Sequence, residues 1–128
     1  MDWHDYFEKT NGTGFLATAN RAGEVDIAVY SRPKVMGDGT LAFGMTDRLT
    51  HANLQENPSA VYALMGRGFE GVRIYLEKVR EEDAGPVLEE IRSRADAIVG
   101  AGTGEQVKHL VLFRVLRHLP LVGTGQGK

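Results

Sequence analysis

The chain has 128 residues, of which 42% are hydrophobic and 25% charged, enough for one domain with an apolar core. A formal net charge of -2 leaves no basic footprint for nucleic acid or an anionic membrane surface, and the lack of cysteine excludes disulfides, thiolate metal sites and cysteine nucleophiles. No apolar run approaches the roughly 18 residues of a membrane helix, and the acidic, aromatic opening is unlike a signal peptide, so the expectation is a cytoplasmic protein.

In chain order, Asp2 is placed to cap a short helix that carries Trp3, Tyr6 and Phe7 at i, i+3 and i+4, with Asn11-Gly12 to end it. Residues 14–20 read as a strand and Arg21-Ala22-Gly23 as a turn. In residues 25–34, Val25, Ile27 and Val29 alternate with Asp26 and Ala28, which predicts a strand with one buried face. Gly37-Asp38-Gly39 is a turn signal, and residues 41–45 make a third strand. Strands joined by such short turns predict an antiparallel meander, because parallel neighbours need long crossovers.

Thr46-Asp47 is placed to cap a helix that runs to about Glu56, with Leu49, Ala52, Asn53 and Glu56 on one stripe and Asn57-Pro58 as its stop. Residues 60–65 read as a strand, Gly66, Gly68 and Gly71 make the next segment loose, and Val72, Ile74 and Leu76 restore a period of two as far as about Val79. Asp83 opens a longer helix with Pro86 in its first turn and Val87, Leu88, Ile91, Ala95 and Ile98 on its apolar side. Residues 107–115 read as the last strand, and Phe15, Phe43 and Phe113 as core. The expectation is a mainly β fold: a six-stranded antiparallel split barrel with flanking helices over residues 1–122, and a flexible tail over 123–128.

Three motifs are decoys. Gly100, Gly102 and Gly104 mimic a dinucleotide fingerprint but follow a helix instead of a strand, with Glu105 where the third glycine belongs. Gly127-Lys128 ends the chain with no serine, threonine or helix after it. His4, His51, His109 and His118 show no ligand spacing on a shared element, so no metal site is expected, and no catalytic acid or base can be assigned from spacing.

The segment TDRLTHANLQENP, residues 46–58, carries the functional signal. It leaves a strand and opens a helix, where unpaired amides and the helix dipole favour an anion. Arg48 adds a cation able to make paired bonds to phosphate oxygens, and Thr46 and Thr50 add hydroxyls. On these residues alone, the segment reads equally as an ordinary capped helix with one surface arginine. Arg32 before Pro33 can likewise be a surface residue, Tyr30 a barrel residue, and the glycine-rich stretch 66–71 either a lip over a ligand or a hairpin.

The order of these pieces resembles the pyridoxamine 5′-phosphate oxidase-like, FMN-binding split-barrel family. The likeness runs through GFLATAN (14–20), DIAVYSRP (26–33), GTLAFGM (39–45) and, best, RLTHANLQENPSAVYAL (48–64), with a weaker closing match in HLVLFRVLRHLPLVG (109–123). The resemblance implies a homodimer with FMN in a groove at the subunit interface, acting as a flavin-dependent oxidoreductase or electron-transfer protein. It implies Thr46, Arg48, Leu49 and Thr50 near the phosphate, Asn53 one turn along, and Tyr30, Ser31, Arg32 and Met45 along the ribityl chain or ring. Many relatives carry an Arg-Lys pair where this chain has Leu49-Thr50, which leaves Arg48 and Arg32 as the nearest cations. Two other readings stay open: the same barrel holding a deazaflavin or a haem, with His51 or His118 as the haem ligand, and a cofactor-free dimeric ligand-binding module.

Overall fold

A computed structural model describes residues 1–124. The elements run α1 (Trp3–Lys9), β1 (Thr13–Ala19), β2 (Val25–Val29), β3 (Lys34–Val35), β4 (Leu41–Met45), α2 (Leu49–Glu56), β5 (Ser59–Met65), β6 (Gly71–Glu82), α3 (Pro86–Ile98) and β7 (His109–Pro120). Short 3-10 turns at Arg67–Phe69 and Thr103–Gln106 link β5 to β6 and α3 to β7. Asp2 caps α1 as its position suggests: its Oδ1 accepts from the Asp5 amide at 3.0 Å. Residues 125–128 of the expected tail lie outside the described residues.

All strands pair antiparallel in one sheet of order β2-β1-β5-β6-β7-β4-β3, and this order does not close on itself. The strand count is seven where six were expected, because the single strand foreseen over 25–34 is two. The Tyr30 amide still bonds the Gly14 carbonyl at 2.9 Å. Pro33 then has no N–H to offer a ladder, and the chain crosses over so that Lys34–Val35 pairs with β4. The expected meander is therefore not formed: β2 pairs with β1, while β4 lies between β3 and β7.

The alternation in β2 is real, but its orientation is the reverse of the usual one. Val25, Ile27 and Val29 are 83%, 65% and 71% exposed, whereas Asp26, Ala28 and Tyr30 are half-buried. β6 and β7 run further than their hydrophobic periods suggest, to Glu82 and Pro120, because each satisfies the other's backbone through charged stretches. Their ladder shifts register at Tyr75/Leu76 and Lys78/Arg80, and such bulges bend strands and increase their twist.

The main core packs on one side of the sheet and includes Trp3, Phe7, Leu16, Phe43, Tyr62 and Phe113. A smaller cluster of Ala42, Leu88, Val107, Leu110 and Leu112 packs α3 against the opposite side of β4 and β7. Of the three phenylalanines expected in the core, Phe43 and Phe113 are there; Phe15 is half-buried, because β1 turns Gly14, Leu16 and Thr18 inward instead. Within α3 only Leu88 is fully buried, and Ile98 is 72% exposed. Among the described residues no helix is long and apolar enough to cross a membrane.

Candidate functional site

The junction between β4 and α2 has an unusual helix start. The expected cap at Thr46-Asp47 is not used; α2 begins at Leu49 with Arg48 in the N-cap position. Arg48 is extended, its amide donates to the Thr46 carbonyl at 2.9 Å, and its carbonyl accepts from Ala52 at 3.0 Å. Its side chain makes no capping bond, and the first turn holds no acidic residue. The amides of Leu49, Thr50 and His51 therefore have no intrahelical acceptor and meet the positive end of the helix dipole. The expected stripe on α2 is also displaced: Thr50, Asn53 and Leu54 are buried, and Leu49 is 56% exposed.

This junction opens into a groove of about 560 Å³. One wall is β2 with the crossover from Tyr30 to Lys34, the base is Ala42, Phe43 and Gly44 of β4, and the other wall is the Ile91, Arg94, Ala95 and Ile98 side of α3. A volume of this order is typical of small-molecule and cofactor sites. Gly44 lets α3 close over β4: a Cβ there would stand 2.6 Å from Ile91 Cγ2 and 2.9 Å from Val107 Cγ1.

Tyr30, Ser31, Arg32, Thr46, Arg48, Leu49 and Thr50 line the groove. Met45 and Asn53 do not. Met45 points into the main core and is 1% exposed, and Asn53 is buried, donating to Thr18 Oγ1 at 3.1 Å, so it ties α2 to β1. Arg32 is committed to the fold: its Nη1 donates to the Phe7 and Thr10 carbonyls, each at 2.6 Å, and closes the C-terminal end of α1. Lys34 and Arg94 also border the groove, and both pair with Glu90, at 3.3 and 3.4 Å. Among the described residues, Arg48 is the groove arginine whose guanidinium has no hydrogen bond or ion pair. The contribution of α3 was not foreseen, although its apolar stripe through Ile91 and Ala95 was the signal for it.

Tyr30 is placed by the core. The Tyr62 hydroxyl donates to the Tyr30 carbonyl at 3.1 Å, and the Tyr30 ring meets Phe43 edge-on at 6.0 Å. Burial pushes the Tyr30 phenol above its ordinary pKa, opposed in part by its hydrogen bond with Thr50, so it stays a neutral donor beside the junction. Burial likewise raises the Tyr62 phenol. Neither histidine considered for haem lines the groove. His118 packs edge-on against Trp3 at 5.2 Å, and His51 lies on the far side of the junction, stacked on His109.

No family model matches the chain, and no curated protein matches it. Solved structures do. An FMN-binding protein from Syntrophomonas wolfei subsp. wolfei superposes with a TM-score of 0.77 at 25% identity, over 91% of this chain and 82% of that one. An F420 reductase superposes at 0.69 with 13% identity, over 89% and 94%. A pyridoxamine 5′-phosphate oxidase-like protein from Lactobacillus delbrueckii gives 0.68 with 11% identity, over 93% and 92%. With its sheet order, its helix insertions and these neighbours, the chain has the fold of the pyridoxamine 5′-phosphate oxidase-like split-barrel family, FMN-binding proteins among them.

Proposed function

We propose that this protein is a homodimeric FMN-binding flavoprotein acting as an oxidoreductase or electron-transfer protein. The observation that carries the reading is the open α2 N-terminus with the unpartnered Arg48 at its cap, facing a groove of about 560 Å³. An anion at this point would supply the acceptors that the first-turn amides lack, and Arg48 would add two parallel charge-assisted bonds. Thr46 and the Thr50–Tyr30 pair stand beside it as further hydroxyls. The apolar stretch from Phe43 to Ile91 and Ile98 suits a planar ring, and the FMN-binding neighbour supports the choice of phosphate-bearing flavin.

When bound, FMN would supply the redox chemistry; the protein's part is to bind, orient and exclude water. Arg48 and the α2 amides would hold the phosphate, and Tyr30 would set the position of the group beside it. The exposed row Val25, Ile27 and Val29 on an edge strand supports a second subunit, because such a row left in water invites pairing with another chain. That partner would close the open side of the groove.

The test is the visible spectrum of the purified protein and an FMN titration of the cofactor-free form. A yellow protein, or saturable one-to-one uptake of FMN, is expected. A colourless protein that takes up no FMN would overturn the reading. The F420 reductase neighbour supports a deazaflavin as the second candidate, and competition between the two cofactors in the same titration separates them.

A further inference from the structure

Behind the β4–α2 junction, on the side away from the groove, the fold gathers ionisable groups that are far apart in sequence. Met45 on β4 lies opposite His109 on β7, and the Lys108 amide bonds the Met45 carbonyl at 2.9 Å. Asp47, two residues after Met45, therefore comes to His109 Nε2. In the first turn of α2, the His51 ring stacks on the His109 ring, with centroids 3.8 Å apart and planes 6° from parallel. Glu81 and Asp83, at the end of β6 and just beyond it, approach from below: Glu81 Oε1 is 2.6 Å from His51 Nε2, and Asp83 Oδ1 is 2.8 Å from His109 Nδ1.

We propose that Asp47, His51 and His109 bind one divalent cation of the zinc class at this end of the sheet. One ligand atom from each of the three lies within 4.8 Å of the other two. Tetrahedral bonds of ~2.0–2.2 Å set donors roughly 3.3–3.6 Å apart, so closing the set takes a shift of about an ångström, together with a turn of the His51 ring out of its stack, because parallel rings cannot both hold one ion in their planes. Asp47 has the freedom to make the shift, since its side chain is 68% exposed. Two imidazole nitrogens with carboxylate oxygen and no sulfur suit zinc, cobalt or nickel better than calcium or magnesium.

The surroundings are those of a metal ligand set. With His109 Nε2 on the ion, its Nδ1–H would donate to Asp83, the carboxylate–histidine–metal arrangement that fixes tautomer and ring direction. Glu81 orients His51, and Gln55 and Lys78 hold Glu81 in turn, at 2.7 and 2.6 Å. Three carboxylates, Asp47, Glu81 and Asp83, surround the two imidazoles, and Lys78 pairs with Glu81, so an ion that takes the place of a ring proton on His109 keeps carboxylates to balance its charge. This inference is independent of the flavin reading, since none of the three ligands lines the groove.

The experiment is calorimetric titration of the untagged, chelator-treated full chain with Zn²⁺, paired with the visible absorption of its Co²⁺ form. One ion per chain is expected, with the tetrahedral cobalt bands of a mixed nitrogen–oxygen set. Asp47→Asn changes an exposed side chain and should keep the far-ultraviolet circular dichroism of the parent while weakening Zn²⁺ roughly tenfold or more. His51→Asn with His109→Gln should abolish binding, and His4→Asn should leave it unchanged. Absence of binding, or binding undiminished in the double variant, would overturn the proposal.

Discussion

Arg32 and Arg48 border the same groove and look alike in sequence, yet only their contacts tell them apart. Arg32 holds the last carbonyls of α1, so Arg32→Ala should destabilise the fold by about 1–2 kcal/mol, read from urea denaturation of the cofactor-free protein. The Arg48 guanidinium makes no such bond, so Arg48→Ala should leave that midpoint where it is. It should instead weaken FMN by roughly 10- to 150-fold, the equivalent of about 1.5–3 kcal/mol for a charge-assisted contact. Equal loss of stability in both variants would remove the distinction. Glu81 supplies a pH dependence. Burial alone would raise its pKa, but hydrogen bonds from Lys78, Gln55 and His51 outweigh this and hold it at about 2, against an ordinary 4.5. A carboxyl depressed on folding contributes stability above its unfolded pKa and loses it as pH falls toward the folded one. In chelator-treated protein, the denaturation midpoint should therefore drop from about pH 5 downward, and Glu81→Gln should flatten that acid limb.

At the scale of elements, the short motifs were legible because local chemistry dictates them. Asp2 caps α1, Pro86 opens α3, and the period of two in β5 and the first half of β6 is kept. Elements went astray where a partner strand or helix outweighed local preference. The cap of α2 fell on Arg48 instead of Thr46-Asp47, and Asp47 turned outward to His109. Gly14, read only as the start of a strand, is there because Tyr62 passes over it: a Cβ would sit 1.9 Å from the Tyr62 hydroxyl oxygen and 2.4 Å from the Tyr30 carbonyl oxygen. Gly14→Ala should cost about 1–3 kcal/mol by forcing Tyr62 aside, with the loss read in a denaturation curve. It should also perturb Tyr30 at the groove wall, visible as weaker FMN uptake.

For the whole molecule, the exposed valines and isoleucine of β2 support the proposed dimer. Light scattering should give twice the chain mass, and Ile27→Lys, which sets a charge in the middle of that row, should shift the protein to monomer. A monomeric parent would leave the open side of the proposed flavin groove uncovered. The sequence by itself determined the mainly β architecture, the places of most turns and the strand-to-helix break after β4, because periodicity, caps and breakers act over a few residues. Only the tertiary structure decided that Val29 and Lys34 belong to opposite ends of one sheet, that β2 keeps its apolar face outward, that α3 walls the groove, and that His51 meets His109. Each depends on which distant strands pair, and pairing is settled by the burial and backbone bonding of the whole sheet, which no window along the chain contains.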